Sequence, residues 1–237
     1  MKTYIWTLPT RLFHWLLAVS FGVAYLLGGD EEYLSLHAAL GSLIGGLILF
    51  RIIQGFSGPK YARFLNFPVS PASVREFILS MKRSKSEHPG HNPLASIIML
   101  CILIAALASA MSGMLILASG ETGMFGIRIR TGFDPDSLGE LHEIVANTFL
   151  ALVGIHLTGI LVDTIFHPAN GTILSIFTGY KKVQAKEAVS SAFHSGFSAF
   201  WFVIPLLVFI YVLKYQPIPA GEKDQTEQVK EENEETD

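Results

Sequence analysis

Four of the eight histidines, His14, His37, His142 and His156, fall inside or at the ends of long apolar runs. An ionisable side chain is costly in lipid, usually faces the interior of a helix bundle, and there marks function. Neutral imidazole is also the commonest metal ligand. For any one of the four, the plain alternative is an interfacial histidine hydrogen-bonded to a backbone carbonyl, so the arrangement has to decide. His142 and His156 stand 14 residues apart. That is just under four helical turns, which puts both on one face, about 21 Å apart along the axis. A helix crossing a membrane would carry one near each surface. The single cysteine, Cys101, excludes an internal disulfide, a four-thiolate iron–sulfur cluster and covalent haem attachment through C-x-x-C-H.

The elements that must position these residues are apolar helices. Of the 237 residues, 50% are hydrophobic and 16% charged, against about 25% charged in a soluble domain. Five apolar runs stand out, at about 12–27, 34–53, 93–118, 141–165 and 192–213. A span needs about 20 apolar residues, within a range of about 17–25. The first run is short, but its flanks extend into the interface. It ends in Gly28-Gly29-Asp30-Glu31-Glu32 without a small-x-small cleavage site and carries His14 and Trp15, so it is expected to be a retained helix rather than a signal peptide. No run alternates with period two, which argues against a barrel.

Orientation follows from the basic residues. With the N-terminus inside, twelve of the 17 Lys and Arg lie on inner segments, while sixteen of the 20 acids lie outside. The expectation is an N-terminus in the cytoplasm, a C-terminus in the periplasm and a multi-pass protein of the bacterial inner membrane.

This topology pairs the histidines by depth. His14 near the start of the first span and His156 toward the end of the fourth share the inner level. His37 and His142 share the outer level. Two imidazole pairs stacked across a bundle are what two six-coordinate b haems require, one imidazole on each face of each porphyrin. Two haems at different depths give an electron path across the membrane that one could not. Gly41 and Gly45 follow His37 on one stripe, and Gly22 is eight residues after His14. Missing side chains there allow close approach of a porphyrin, or equally of another helix. Ala146, Phe149 and Val153 lie between His142 and His156 and could fill the gap between haems. His88, His91, His167 and His194 fall at the inner surface, where solvated roles are the default, with His91 an alternative to His14 as ligand of the inner haem.

Residues 1–190 thus read as a di-haem transmembrane domain. Residues 191–215 read as a fifth transmembrane helix, and 216–237 as a disordered acidic tail without aromatics. The basic loop 54–92 contains an amphipathic stretch, 72–81, expected on the inner membrane surface. No basic helix or aromatic–basic interleaving points to nucleic acid.

The motif Trp6-Thr-Leu-Pro-Thr-Arg-Leu-Phe-His14-Trp15, His37-x-x-x-Gly41 with Arg51, Gly90-His91-Asn92-Pro93-Leu94, the His142/His156 spacing, Asn170-Gly171 and Thr178-Gly179-Tyr180-Lys181 together resemble the di-haem cytochrome b family of bacterial cytochrome b-561 and the b-type subunit of nickel–iron hydrogenases. The resemblance covers roughly residues 4–182; a fifth span and an acidic tail depart from the four-span pattern of many members. It implies an all-α membrane protein in which a four-helix bundle holds two haems b, with a fifth helix added. Electrons would pass between membrane quinone and a periplasmic redox protein, a hydrogenase small subunit or a c-type cytochrome. By the same resemblance, Gly90, His91 and Asn92 would line the quinone pocket with His156. Arg11 and Arg51 would pair with inner haem propionates, and Arg128 or Arg130 with outer ones. The acids of the 30–32 loop would face a basic partner. Two other readings stay open on the sequence: a stand-alone haem b reductase of a small molecule, and a haem-free membrane scaffold. Whether the chain is an enzyme in its own right is left open too.

Overall fold

In the computed structural model, residues 3–80, 88–120, 123–124, 127–130, 132–167, 171–181 and 192–215 are described, the last segment without the side chains of 192–201. The elements are β1 (Thr3–Tyr4), α1 (Leu8–Leu26), α2 (Leu34–Ser57), α3 (Pro71–Ser80), α4 (Pro93–Ser119), α5 (Pro135–Phe166), α6 (Thr172–Thr178), β2 (Tyr180–Lys181) and α7 (Ala192–Tyr215). The acidic tail, Asn170 and the basic residues of 82–85 lie outside the described residues.

Three long helices start in the same way, with a polar residue followed by proline in the first turn. Thr7 precedes Pro9 in α1, Asn92 precedes Pro93 in α4, and Asp134 precedes Pro135 in α5. Proline costs nothing where the first N–H groups have no intrahelical partner. The Asn92 side chain accepts from the Ala95 amide at 2.8 Å, and Asp134 from the Ser137 amide at 3.3 Å. Both are N-caps that fix where the helix begins.

Helix α2 lies at the centre and packs against α1, α4 and α7, while α5 packs chiefly on α4. Two consecutive glycines bring α2 close to neighbours on two sides. A Cβ on Gly45 would lie 2.7 Å from Met114 Cε of α4, and one on Gly46 would lie 2.8 Å from Pro205 Cβ of α7. Phe50 and Phe202 add a ring contact at 4.4 Å to the α2–α7 seam. The core holds Phe13, Phe21, Leu43, Leu47, Ile48, Leu103, Ala106 and Phe149.

The outward faces are apolar. Val19, Leu26, Ile104 and Ile165 are all more than 60% exposed, an arrangement suited to lipid rather than water. Helices α2, α4 and α5 are long and apolar enough to cross a membrane. Helix α1 carries Arg11 and His14 in its first turns, which lowers its apolar character, and the described side chains of α7 cover only its C-terminal part. The stretch expected at 72–81 is helical as α3, with Phe77 buried and Ile78 and Leu79 exposed.

At the opposite end of α1 from Leu26, β1 pairs antiparallel with β2, Thr3 opposite Lys181 and Tyr4 opposite Tyr180. The Ile5 and Trp6 amides both donate to the Gly179 carbonyl. Gly179 has φ +85, and a Cβ there would strike the Tyr4 ring at 2.5 Å. This two-stranded clasp ties the start of the chain to the segment after α6 and closes the end of the bundle that holds His14 and His156.

Candidate functional site

The structure brings His37 and His142 together, with ring centroids 6.0 Å apart and planes at 83°. The His37 Nδ1–H donates to the Ala24 carbonyl at 2.9 Å. A carbonyl can only accept, so the proton is on Nδ1 and Nε2 keeps its lone pair. The Ser112 hydroxyl donates to the Ser109 carbonyl, which leaves its oxygen to accept from His142 Nδ1 at 2.9 Å. Both imidazoles therefore present Nε2 as the ligating atom, each held by a partner on its other nitrogen, as metal-ligating histidines are. Gly113 clears the way for the His142 ring, and Gly28 adjoins the His37 ring. A Cβ on Gly113 would sit 3.1 Å from His142 Cε1, and one on Gly28 would sit 3.8 Å from His37 Cε1.

His14 and His156 are neighbours at the other end of the bundle. Each is half-buried, and they are close enough to interact electrostatically. Arg51 is at the same level, since the adjacent Phe13 and Phe50 rings meet at 6.2 Å. Its guanidinium is 3% exposed and lies 4.8 Å over the Phe64 ring, with Nη1 unpartnered. Gln54 donates to Thr10 Oγ1 at 3.2 Å while its Oε1 has no partner. Arg11 donates through one Nη to the Phe177 carbonyl, tying α1 to α6, and its Nε has no partner.

His91 sits beside this pair. Its ring lies 4.8 Å from Trp6 and 5.3 Å from Phe67, and Arg51, Lys181, His156 and His14 all act on it electrostatically. Burial first, then the charges of Arg51 and Lys181, hold its pKa down at about 3 against the usual 6.5, so it is neutral at ordinary pH. Lys181 is buried, which lowers its own pKa against the raising effect of Asp163, and it donates to the Gly90 carbonyl at 3.3 Å. Gly90 also packs on the Tyr61 ring. Asn92 sits next to these groups with its side-chain oxygen committed to the α4 cap. His167 differs from the expected solvated role: it is 4% exposed and pairs with Asp163 at 3.2 Å.

The other residues singled out from sequence divide. Gly45 faces Met114 and Ala110 of α4, whereas Gly22 and Gly41 face open space. Arg128 and Arg130 are exposed. Ser112, Gly113 and the Ala24 carbonyl serve the outer pair without having been picked out. Ser109, Ser112 and Gly113 are small or polar at helical spacing in an otherwise apolar run, and that was the available signal.

A family model described as prokaryotic cytochrome b561 matches residues 5–179. The chain belongs to the prokaryotic cytochrome b561 family. Neither the curated proteins nor the solved structures compared with it give a match. The family is one of membrane b-type cytochromes in electron transfer, and it binds haem b, so the haem-free scaffold is set aside. This cytochrome is a multi-pass membrane protein. Its residues fit the cofactor: His37 and His142 each have Nδ1 hydrogen-bonded, which leaves Nε2 to ligate, and at the other end buried polar atoms, among them His14 Nδ1 and Arg51 Nη1, have no partner among the described residues. A buried, unpaired guanidinium beside a histidine pair suits a carboxylate-bearing group.

Proposed function

We propose that this cytochrome b561 carries two haems b, on His14/His156 and His37/His142, and transfers electrons between the membrane quinone pool and a periplasmic redox partner. The observation that carries the reading is the presence of two histidine pairs at two depths of one bundle. The bound cofactor supplies one-electron iron chemistry; the chain supplies position, dielectric and charge. Ala24 and Ser112 fix the tautomer and orientation of the outer ligands. Arg51, with Arg11, meets the propionates at the inner level.

Quinone is placed at the inner end. His91 offers a buried Nδ1 with no protein partner, flanked by Trp6 and Phe67, whose faces suit a flat ring. Kept neutral, His91 can exchange a single hydrogen bond with a quinone oxygen. Lys181 holds the Gly90 carbonyl and so fixes the turn that carries His91 and Asn92. The excess of basic residues on this side supports a reading with this end in the cytoplasm and the C-terminus in the periplasm, in the bacterial inner membrane. The outer pair adjoins Gly28 and the acidic loop Asp30–Glu32, which suits a hydrogenase small subunit or c-type cytochrome with a basic patch.

The test is reduction by a quinol analogue in proteoliposomes, followed by visible spectra. Native protein is expected to be reduced at both haems, and His91→Ala to be reduced more slowly with its spectrum intact. No reduction by quinol, or equal rates in the two proteins, would refute the quinone assignment.

A further inference from the structure

Helices α1 and α5 rest mainly on other neighbours, α1 on α2 and α5 on α4, yet at mid-height they are joined by two side-chain contacts. The Phe21 and Phe149 rings stack with centroids 3.9 Å apart at 31°, and Tyr25 Oη donates to Asn147 Oδ1 at 2.7 Å. Phe149 and Leu138 are the buried residues of the 32-residue α5. Phe149 is 2% exposed and Phe21 9%, so at mid-membrane α5 enters the core through one ring.

The placement of that ring is regular. His142, Phe149 and His156 follow at intervals of seven residues, as do His14, Phe21 and Gly28. Seven residues are just under two turns, so the α5 set, and His14 with Phe21 in α1, each lie on one face with steps of about 10 Å, while Gly28 lies just past the end of α1. The two helices run antiparallel. The phenylalanine stack therefore has His14 and His156 two turns away on one side, and His142 with Gly28, which adjoins the His37 ring, two turns away on the other. The stack stands midway between the two histidine pairs. An aliphatic pair could fill the same volume. Two π-systems in van der Waals contact add polarisable, conjugated matter along the line joining the sites.

We propose that the stacked Phe21–Phe149 pair is the spacer that holds the two haem sites apart and the bridge across which an electron passes between them. The inference rests on the two-haem reading and adds a role for residues that touch neither iron. The step is a one-electron exchange: ferrous iron becomes ferric on one side while ferric becomes ferrous on the other. No bond is made, no proton moves and the phenylalanines are not oxidised.

The experiment uses full-length holoprotein with Phe21→Leu and Phe149→Leu combined. A photoexcited ruthenium tris-bipyridine complex injects an electron at the outer face, and its redistribution between the haems is followed by their α-bands. Low-spin EPR signals report whether both haems are held. The expected result is two retained EPR signals with slowed redistribution, and a Phe149→Tyr variant, which keeps the stack, at the native rate. Two retained signals with an unchanged rate in the leucine variant would overturn the bridge. If the double variant loses a haem, Phe21→Leu alone is measured in the same way: slowed redistribution supports the bridge and an unchanged rate overturns it. A single low-spin signal from native protein would refute the two-haem reading and the bridge with it, an outcome distinct from failure of the bridge alone.

Discussion

The two ends of the bundle hold the same ligand type in opposite states of completion. At the His37/His142 end each Nδ1 is already hydrogen-bonded, to the Ala24 carbonyl and to Ser112. At the His14/His156 end His14 Nδ1, Arg51 Nη1, Gln54 Oε1 and His91 Nδ1 are buried with no partner among the described residues. Buried polar groups left unpaired cost about 1–3 kcal/mol each, so this end is built to be completed by groups the chain does not supply. In the proposed function this contrast becomes a division of labour: the His37/His142 end would hold its haem on ligands already oriented by the chain, and the His14/His156 end would offer buried polar atoms to propionates and to quinone.

Removing a ligand gives the largest expected effect. His142→Ala should eliminate the outer haem and leave the inner one, and His156→Ala should do the reverse, both read by low-spin EPR. Loss of both haems from either variant would show that the two ends are not independent. Next in size is Ser112→Ala, which leaves the His142 tautomer unfixed. Loss of such a partner costs about 10–100-fold in metal affinity or activity, so outer haem retention during dialysis against apomyoglobin should fall while the inner haem stays. Equal loss at both ends would erase the contrast. Arg51→Gln should lower the midpoint potential of the inner haem alone, because removing a buried positive charge makes an added electron costlier there; a potentiometric titration reads this. The smallest effect is on pH dependence. His91 has a folded pKa of about 3 against 6.5 when unfolded. Between these values the unfolded chain binds a proton that the folded chain does not. Its contribution to stability is therefore full above about 6.5 and lost as pH falls toward 3. His91→Phe should flatten that fall in thermal unfolding between pH 7 and pH 4.

Much of this was legible in the sequence because helical periodicity is arithmetic. The 14-residue spacing put His142 and His156 on one face, and charge asymmetry paired them by depth with His37 and His14. The apolar runs at 34–53, 93–118 and 141–165 fall on α2, α4 and α5. What stayed hidden depends on neighbours far away in the chain, which periodicity does not report. Gly46 is one more glycine in an apolar run, and only its contact with Pro205 shows that it seats α7. Phe149 was visible as a residue between the ligands, but its partner Phe21, 128 positions earlier, was not. His167 looked solvated because it follows a span, yet Asp163 one turn back captures it. Asn92 was read as a pocket residue, and the structure gives its side-chain oxygen a second duty as the cap of α4.

The proposed transmembrane electron transfer requires two haem sites per chain. Purified native protein analysed by pyridine haemochrome, with the polypeptide quantified by amino-acid analysis, measures this directly. Two haems b per chain are predicted, with two distinct low-spin EPR signals. One haem per chain would contradict the account, leaving one histidine pair without the role given to it here.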